Sequence, residues 1–500
     1  MMTPAVKTIC VLGGGSAGYL AALTMRRLLP GRNVIAVHSP DRPVIGVGES
    51  TTAYFPYFLH RQLGLDQKQF YAEVQPSWKL GIRFVWGPSE IGHFNYPFGF
   101  EFSERSGPLR KRAAFYYQQQ FGHVGPVSAL MDQNLSPCVA DENGEYQLLN
   151  QRFGYHIHNQ RFLAYLDRVC RGYGVEFIAD NIIDVTRGES GDVESLILED
   201  GNRLKADLFV DCSGFESQLL GKALGERFVD YGNTLFCDTA IVGGYERSGP
   251  ILPYTTAETM DHGWCWQIDL PSHVTLGYVH SSQFCTPEEA RDELRRRKPD
   301  IGDNLRVIHF PSGRYENYWV RNVVAIGNAS GFVEPLESTA LHVIAEQLIN
   351  TCAALLDSDY RIEPAAREIE NLRFRRNWDS IRDFLALHYK FNRRLETPFW
   401  RHCREHTDIG TANAIVDIYR HLGPHAAMKT HIPGDTLVQF EGYLALLLGQ
   451  QVETQHTTEF DAQDLLDWSE FQRAINNHVA RAIPVRDALK VVGSPDWKWR

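Results

Sequence analysis

Six residues near the N-terminus have the types and the spacing that binding of a nucleotide phosphate requires. The run Gly13-Gly14-Gly15-Ser16-Ala17-Gly18 fits the pattern GxGxxG, directly after an apolar strand-like run and directly before a helical one. In that setting the glycines allow a tight turn, and the helix N-terminus faces a pyrophosphate. A glycine turn without a ligand is the alternative. The predicted cofactor contacts in this turn are Gly13, Gly15, Ser16, Ala17 and Gly18.

The position that would hold the adenosine ribose has an uncommon residue. A Rossmann-type unit normally has an acidic side chain about twenty residues beyond the glycines. This chain has His38 there, followed by Ser39, and an imidazole or a hydroxyl can also hydrogen-bond a ribose hydroxyl. We therefore predict both as ribose contacts, with an unliganded residue at a strand end as the alternative for His38.

Three further segments favour FAD over NAD. Residues 43–51 (PVIGVGEST), 208–214 (LFVDCSG) and 323–332 (VVAIGNASGF) are of the kind expected around a long, flat cofactor. No second GxGxxG occurs in a strand-to-helix setting, and an enzyme that reduces its own flavin usually needs a separate nicotinamide site. We therefore expect FADH2 to come from a separate NAD(P)H-dependent flavin reductase. The remaining predicted flavin contacts are Val47, Gly48, Ser50, Gly327, Asn328 and Leu341.

The segment 331–339 (GFVEPLEST) could bind an anion. It precedes a predicted helix, whose first amides gather partial positive charge, and a halide ion fits such a site. The segment also has two carboxylates, Glu334 and Glu337. Each could simply be a first-turn charge that complements the helix dipole, and we prefer that interpretation for Glu334.

Residues 76–86 (PSWKLGIRFVW) alternate in the manner of one β-strand. Five apolar side chains share one face, and Lys79, Gly81 and Arg83 lie on the other. Lys79 is the residue of this run that could take part in chemistry. A solvated lysine on a strand is the alternative.

Two groups of aromatic residues could line a cofactor or a substrate. Trp264 and Trp266 fall on one face of a predicted strand (GWCWQIDL), and a pair of core tryptophans is an equal alternative on periodicity alone. Tyr96, Phe98 and Phe100 could stack on an aromatic ring, although taken alone they are more typical of packing.

The elements around these residues indicate an α/β protein. Strand, glycine turn, helix and second strand fill the first forty residues, as in a parallel, doubly wound unit. Helical periodicity dominates from Ser338 onward. We predict a Rossmann-like FAD-binding fold of the flavoprotein monooxygenase type with a mostly helical C-terminal part. The expected domains are residues 1–355, which are sheet-rich, and residues 356–500, which are helical and contribute to the substrate pocket.

Composition excludes several other classes of protein. The net charge is −11, which argues against nucleic acid as the main partner, because phosphate binding needs clustered Lys and Arg. No stretch approaches the roughly 18 apolar residues of a membrane span, and the chain starts without a secretory leader pattern. We expect a soluble, cytoplasmic protein. Nine scattered cysteines without a CxxC pair predict reduced core residues and no metal site.

Taken together, these segments resemble the flavin-dependent tryptophan halogenase family. The resemblance runs through GGGSAG, GVGEST, PSWKLGIRF, GWCWQI, GFVEPLEST and DFLALHYKFNRRLETPFWR, which span nearly the whole chain. It implies FADH2- and O2-dependent chlorination or bromination of an electron-rich aromatic compound. It also implies that Lys79 receives hypohalous acid, as a hydrogen-bonded oxidant or as an N-haloamine, and that Glu337 orients the oxidant and accepts the ring proton. The amides of Thr339 and Ala340 would bind halide, and Trp264 and Trp266 would keep the substrate away from the flavin.

Several positions depart from the family pattern. Ala340 stands where members acting on free tryptophan usually have glycine, and Asp269 stands where proline usually completes the tryptophan motif. The paired tyrosines suited to free tryptophan are not evident near the C-terminus. We therefore expect an indole-like or other electron-rich aromatic substrate and possible assembly as a homodimer. The alternatives are an aromatic hydroxylase that uses no halide and a FAD-stabilised binding protein without turnover.

Overall fold

The structure is a computed structural model that describes residues 4–41, 48–99, 125–149, 153–455 and 461–499. Two predicted site residues, Val47 and Phe100, lie outside these residues. The strands in chain order are β1 Thr8–Leu12, β2 Asn33–His38, β3 Glu49–Ser50, β4 Ser77–Lys79, β5 Gly81–Val85, β6 Phe94–Pro97, β7 Leu135–Ala140, β8 Tyr146–Leu148, β9 Gly154–Ile157, β10 Glu176–Ala179, β11 Ile182–Arg187, β12 Val193–Leu198, β13 Arg203–Lys205, β14 Leu208–Asp211, β15 Phe228–Asp230, β16 Thr239–Glu246, β17 Thr255–Met260, β18 Gly263–Asp269, β19 His273–His280, β20 Arg306–His309, β21 Gly313–Tyr315, β22 Trp319–Val320, β23 Val323–Ala325, β24 Gly331–Phe332 and β25 Ala482–Pro484.

The α-helices are numbered in the same way. They are α1 Ser16–Leu28, α2 Tyr54–Tyr57, α3 Gln67–Val74, α4 Pro126–Asp132, α5 Asn159–Gly172, α6 Pro287–Arg297, α7 Ala340–Asp357, α8 Pro364–Phe391, α9 Pro398–His406, α10 Ala412–Leu422, α11 Phe440–Gly449, α12 Ala462–Val479 and α13 Val485–Val492. Short 3-10 turns at Gly327–Ala329 and Pro335–Glu337 lie next to the site.

The predicted strand, turn and helix at the N-terminus form the centre of a parallel sheet. β1 pairs in parallel with β2 on one side and with β14 on the other, and the sheet continues to β10 and β23. Parallel strands end at one common edge of a sheet, and ligands of such folds bind in the crevice at that edge. The glycine turn, His38 and the segments after β14 and β23 meet there. This arrangement confirms the Rossmann-like prediction.

A seven-stranded sheet carries the tryptophan pair. Its strand order is β20-β16-β19-β18-β17-β5-β6, with β18 in the middle, and only β5 and β17 pair in parallel. Trp264 and Trp266 point from β18 to the same face and are buried, as predicted. Trp266 lies opposite Gly277 of β19, where any Cβ would come within 1.9 Å of the indole. Glycine at that position therefore makes room for Trp266.

A third, small sheet joins three distant parts of the chain. Its order is β3-β9-β4. On one side of β9, Ser50 pairs with His156, and on the other side Ser77 pairs with His156 and Lys79 pairs with Gly154. His156 thus lies between Ser77 and Ser50 of the GVGEST segment in the small sheet, and Lys79 follows Ser77 by two residues on β4.

The prediction of one continuous strand over residues 76–86 is wrong. β4 and β5 belong to different sheets, with Leu80 between them, because the amide of Leu80 donates to the carbonyl of Pro253 instead of continuing the ladder (2.7 Å). The five apolar side chains of the predicted face are all buried, and so is Lys79.

The C-terminal helices pack on the sheets. The indole of Trp86 on the chain after β5 donates to the carbonyl of His388 on α8 (2.9 Å), and that of Trp400 on α9 donates to the carbonyl of Met260 (2.7 Å). One apolar cluster contains both Leu20 and Trp400. The division of the chain at residue 355 stays a prediction.

Within the described part of the chain, no helix is long and apolar enough to cross a bilayer. The same residues include no group of three or more His, Cys, Asp or Glu side chains that could hold a metal ion. All nine cysteines are buried and free.

Candidate active site

The glycine turn is shaped by close backbone approaches. Gly13 has φ +132°, and a Cβ there would lie 2.3 Å from the carbonyl oxygen of Cys212; a Cβ on Gly18 would lie 2.0 Å from the carbonyl oxygen of Gly13. Only glycine tolerates these contacts. The turn therefore holds the N-terminus of α1 tightly against the strand edge, where a pyrophosphate would meet its free amides.

Two polar atoms at this edge are buried without a partner among the described residues. They are Oγ of Ser16, at the start of α1, and Nδ1 of His38, at the end of β2. Buried polar groups normally find partners, so both atoms fit a bound polar ligand. His38 also lies against the turn, since a Cβ on Gly14 would be 3.0 Å from the His38 Cβ. The Ser39 hydroxyl accepts from the amide of Asp41 (3.3 Å). These residues fit a dinucleotide cofactor.

Of the other predicted flavin contacts, Gly327 lies next to α1, since a Cβ there would be 3.3 Å from the Cβ of Ala17. Gly327 has φ +64° and directs its amide to the side chain of Gln347 (3.2 Å), with Asn328 next in the same turn. Gly48 has φ +81°, and a Cβ there would lie 2.9 Å from the Thr275 hydroxyl. Leu341 is buried in the first turn of α7. The glycine positions keep these turns open to a flat ligand.

Lys79 is a buried lysine in the candidate site. It is fully buried, so the alternative of a solvated strand lysine is wrong. Burial lowers the pKa of the Lys79 ammonium from 10.5 to about 7, and the charge of Glu337 opposes that shift. The ammonium lies 5.0 Å from the centroid of the Phe98 ring. At neutral pH a large fraction of Lys79 is therefore an uncharged amine beside an aromatic wall.

The partner of Lys79 is a hydroxyl. Its Nζ donates to Oγ of Ser338 (2.6 Å), and the ion pairs of the described residues do not include Lys79 with Glu337. Ser338 adopts a left-handed conformation (φ 56°) between the 3-10 turn and α7, which is uncommon for a residue other than glycine. This conformation turns the chain so that the Ser338 hydroxyl points back at Lys79.

Glu337 is held by a histidine. Nε2 of His388 lies 2.7 Å from a carboxylate oxygen of Glu337, and Nδ1 of His388 lies 3.0 Å from the carbonyl oxygen of Phe384. A carbonyl only accepts, so Nδ1 carries a proton. The short contact at Nε2 then places a proton between the imidazole and Glu337, and both side chains are buried.

The amides after Glu337 are free to bind an anion. α7 starts at Ala340, with Thr339 as its N-terminal cap, and no side chain caps it. The amides of Thr339, Ala340 and Leu341 have no hydrogen-bond acceptor among the described residues. The 18-residue helix adds its dipole at this end.

The interpretation of Glu334 as a first-turn charge is wrong. Glu334 lies six residues before α7 and is buried. Its carboxyl accepts from the indole of Trp264 (3.3 Å), and burial raises the pKa of Glu334 to about 7. Glu334 therefore anchors the tryptophan pair, whose ring centroids are 6.1 Å apart.

Asp269 replaces the family's proline without disturbing its strand. It ends β18 in regular register with Val274. Its carboxylate forms a buried ion pair with Arg247 (2.5 Å), and its carbonyl accepts from the hydroxyl of Ser77 (2.7 Å). The substitution thus adds a fixed charge pair behind β4.

Of the predicted substrate residues, Phe98 contacts the ammonium of Lys79, and Phe100 lies outside the described residues. Tyr96 approaches α11, where a Cβ on Gly442 would be 2.7 Å from its hydroxyl, and its ring lies edge-on to Phe384 at 6.4 Å. Sequence reasoning missed His388, His156 and Thr255. None of them belongs to a motif that predicts a role, although His388 lies within the HYKF part of a family segment.

A parallel sheet with a glycine turn, joined to a buried amine beside an acid–imidazole pair, defines a flavin-binding oxidoreductase. The sequence model of tryptophan halogenases matches residues 8–464. The chain is 31% identical over 454 residues to the tryptophan 7-halogenase RebH of Lentzea aerocolonigenes, which covers 84% of this chain and 83% of RebH. It is 30% identical over 446 residues to the tryptophan 6-halogenase ThaL of Streptomyces albogriseolus (83% and 82% covered). The chain belongs to the tryptophan halogenase family.

Solved structures agree with this assignment. The lanthipeptide tryptophan 5-halogenase MibH superposes with a TM-score of 0.90 and 35% identity, over 98% of this chain and 94% of MibH. A flavin-dependent halogenase of Xanthomonas campestris superposes with a TM-score of 0.89 and 27% identity, over 98% of each chain. The protein is therefore a flavin-dependent halogenase that works with a separate flavin reductase on an aryl substrate. The hydroxylase alternative is not favoured.

Proposed function

We propose that this enzyme chlorinates or brominates an electron-rich aromatic ring of indole type, with Lys79 as the group that delivers the halogen. The observation that carries the proposal is the complete burial of Lys79, which lowers the pKa of its ammonium to about 7. A surface lysine would be almost entirely protonated at neutral pH. A buried amine with a free lone pair is a nucleophile for electrophilic halogen.

The halide is bound at the start of α7. The unpaired amides of Thr339 and Ala340 and the helix dipole attract the anion. The glycine turn, Ser16, His38 and the Gly327 turn hold the cofactor, and bound FADH2 supplies, with O2, the oxidation of halide to hypohalous acid. The indoles of Trp264 and Trp266 keep the organic substrate apart from the oxidation of halide at the cofactor.

Lys79 then receives the halogen. The amine lone pair forms an N–X bond with hypohalous acid, and the O–X bond breaks. The departing oxygen takes a proton from the nitrogen and leaves as water. The aromatic ring next takes the halogen from nitrogen, and the N–X electron pair returns to nitrogen. The ring proton passes to the Glu337–His388 pair, and that pair gives a proton to the nitrogen, which restores the amine. Both side chains act in a dry interior, where electrostatic and proximity effects are large.

An indole is the preferred substrate class. Phe98 offers an aromatic surface next to Lys79, and the relatives RebH and ThaL are tryptophan halogenases. MibH, at 35% identity, is a lanthipeptide enzyme, so a tryptophan within a peptide belongs in the substrate panel. A cytoplasmic location and a homodimer stay predictions.

The test uses the full-length protein with FAD, NADH, a flavin reductase and O2. Indole, a phenol, tryptophan and a tryptophan-containing peptide are incubated with bromide, with chloride or without halide, and products are read by mass spectrometry. We expect halide-dependent products whose isotope pattern follows the added halide. Lys79→Ala should still bind FAD and lose the product, whereas Lys205→Ala, which changes an exposed lysine, should retain it. Halogenation at an unchanged rate by Lys79→Ala would reject the role of Lys79.

A further inference from the structure

An unbranched series of hydrogen bonds runs from Lys79 to a buried histidine. Lys79 donates to Ser338 (2.6 Å), and Ser338 donates to Ser50 (3.1 Å). Ser50 contacts the hydroxyl of Thr255 (2.8 Å), which contacts Nε2 of His156 (2.9 Å). We call the hydroxyls of Ser338, Ser50 and Thr255 the hydroxyl chain. Its members come from four separate segments of the sequence when His156 is included.

The far end determines the direction of every bond. Nδ1 of His156 lies 3.2 Å from the carbonyl oxygen of Asp269, and a carbonyl only accepts, so Nδ1 carries the proton of the neutral ring. Nε2 therefore presents a lone pair, and Thr255 must donate to it. A hydroxyl has one proton, so Thr255 accepts from Ser50, Ser50 accepts from Ser338, and Ser338 accepts from Lys79.

We propose that His156 is a positioning residue, which fixes the direction of the hydroxyl chain so that Ser338 accepts from Lys79 and never donates to it. The consequence for catalysis rests on the proposed function. When Lys79 is an uncharged amine, one N–H is held by Ser338 and the lone pair points away from the hydroxyl chain. If the direction of the hydroxyl chain could reverse, Ser338 would donate to that lone pair and block the nucleophile.

The surroundings keep His156 neutral and its carbonyl partner fixed. Burial, together with the charges of Lys79 and Arg247, lowers the pKa of His156 to about 3. The carboxylate of Asp269 is occupied by Arg247 and by the side-chain amide of Gln267 (3.0 Å), and the Asp269 carbonyl also accepts from Ser77. The hydrogen-bond direction in the hydroxyl chain is therefore constant across the working pH range.

Lys79 itself faces few other charges. Glu337 faces it from the 3-10 turn before α7, and its charge raises the pKa of Lys79. Behind Glu337 lie His388 of α8 and Tyr96 of β6, whose pKa burial raises well above 10. His156 of β9 is neutral. Changes in the hydroxyl chain should therefore register in the titration of Lys79.

The test interrupts the hydroxyl chain at Thr255 and measures the pKa of Lys79. Full-length protein is labelled with 13C at the ε-carbon of lysine, the Lys79 signal is assigned by its absence in Lys79→Met, and its pKa is measured by NMR without substrate. Thr255→Val keeps the shape and removes the hydroxyl. Ser50 and Ser338 can then reverse when Lys79 is neutral, which stabilises the amine, so the pKa of Lys79 should fall by about half a unit to one unit.

Two variants serve as controls. His156→Gln offers a carbonyl to Thr255 and an amide N–H to Asp269, so it keeps the direction and should leave the pKa of Lys79 near the wild-type value. Thr259→Val removes another buried hydroxyl of β17, which donates to the carbonyl of Val85 (3.0 Å) and not to the chain. It should not move the titration of Lys79. If Thr255→Val does not fold, Ser50→Ala interrupts the chain one hydroxyl earlier for the same NMR measurement.

Turnover gives the second measurement. Thr255→Val should lower kcat about threefold to tenfold above about pH 7, where Lys79 of the wild type is neutral, with little change in KM, because most of the neutral amine is then blocked; the loss should fade below about pH 6, where Lys79 is protonated in both proteins. An unchanged titration of Lys79 in Thr255→Val, with or without a loss of kcat, would overturn the proposal, and so would a fall of the pKa in His156→Gln equal to that in Thr255→Val. If Lys79→Ala retained halogenation, the proposed function would fail, while the NMR titration would still decide the direction of the chain.

Discussion

Replacing Lys79 by methionine should stabilise the protein at acidic and neutral pH. The pKa of Lys79 is 10.5 as the ordinary value and about 7 in the folded protein. Between these pH values the unfolded chain binds the proton and the folded protein releases it, so the free energy of unfolding of the wild type rises with pH. Below about pH 7 the folded protein bears the whole cost of burying the charge, and above about pH 10.5 it bears none.

The size of the effect follows from the two pKa values. The pKa difference corresponds to about 5 kcal/mol at full effect. The same relation leaves about 5 kcal/mol at pH 6 and about 2 kcal/mol at pH 9. Methionine has a similar length and no charge, and it gives up the hydrogen bond to Ser338, which contributes about 1 kcal/mol. The stability gap between Lys79→Met and the wild type should therefore shrink by about 3 kcal/mol from pH 6 to pH 9.

Urea unfolding at both pH values measures that gap. Tryptophan fluorescence and circular dichroism follow the transition, and coincident curves justify a two-state analysis. Lys205→Met, on the exposed side of β13, is the matched control and should show no such pH dependence. A gap of equal size at pH 6 and pH 9, or a variant less stable than the wild type at pH 6, would refute the argument that desolvation dominates at Lys79.

Three further substitutions test the supporting contacts. Arg247→Met leaves the buried carboxylate of Asp269 unpaired and should destabilise the protein by about 3 to 5 kcal/mol in urea unfolding; a loss under about 1 kcal/mol would contradict the buried ion pair. His388→Leu removes the proton partner of Glu337 and should lower kcat at least about tenfold with unchanged flavin affinity, and an unaltered kcat would show that Glu337 needs no imidazole. Gly277→Ala places a Cβ 1.9 Å from an indole and should cost about 1 to 3 kcal/mol and shift the tryptophan fluorescence, whereas a silent substitution would disprove the close packing.

The parts of the site that sequence could predict are those encoded by consecutive residues. The glycine turn is read from six adjacent positions whose strand and helix flanks fix its geometry, and both flanks are confirmed. The start of α7 near Ala340 is likewise confirmed, because a helix signal is local. The prediction for Glu334 is wrong because its distance from the first helical residue depends on a 3-10 turn and on the left-handed conformation of Ser338. Neither feature is visible in the periodicity of the sequence.

The hydroxyl chain could not be predicted in the same way. Ser50, His156 and Thr255 are separated by about a hundred residues each. Ser50 and His156 meet because β3 pairs with β9, and Thr255 comes from β17 of the seven-stranded sheet. A shift of one residue in that pairing would turn His156 to the opposite face of the sheet. The register therefore carries information that no single segment of the chain contains.

The protonation state of Lys79 depends on the partners of the carboxylates in the site. A carboxylate in direct contact with the ammonium would favour its charged form, and the amine would then have no lone pair at neutral pH. Here the carboxylate of Glu337 is engaged by His388 (2.7 Å) and that of Asp269 by Arg247 (2.5 Å), while Lys79 meets a hydroxyl. Desolvation thus outweighs the attraction that remains from Glu337. His388 therefore contributes to the nucleophilicity of Lys79 without touching it, because it engages Glu337 and leaves Lys79 with a neutral acceptor.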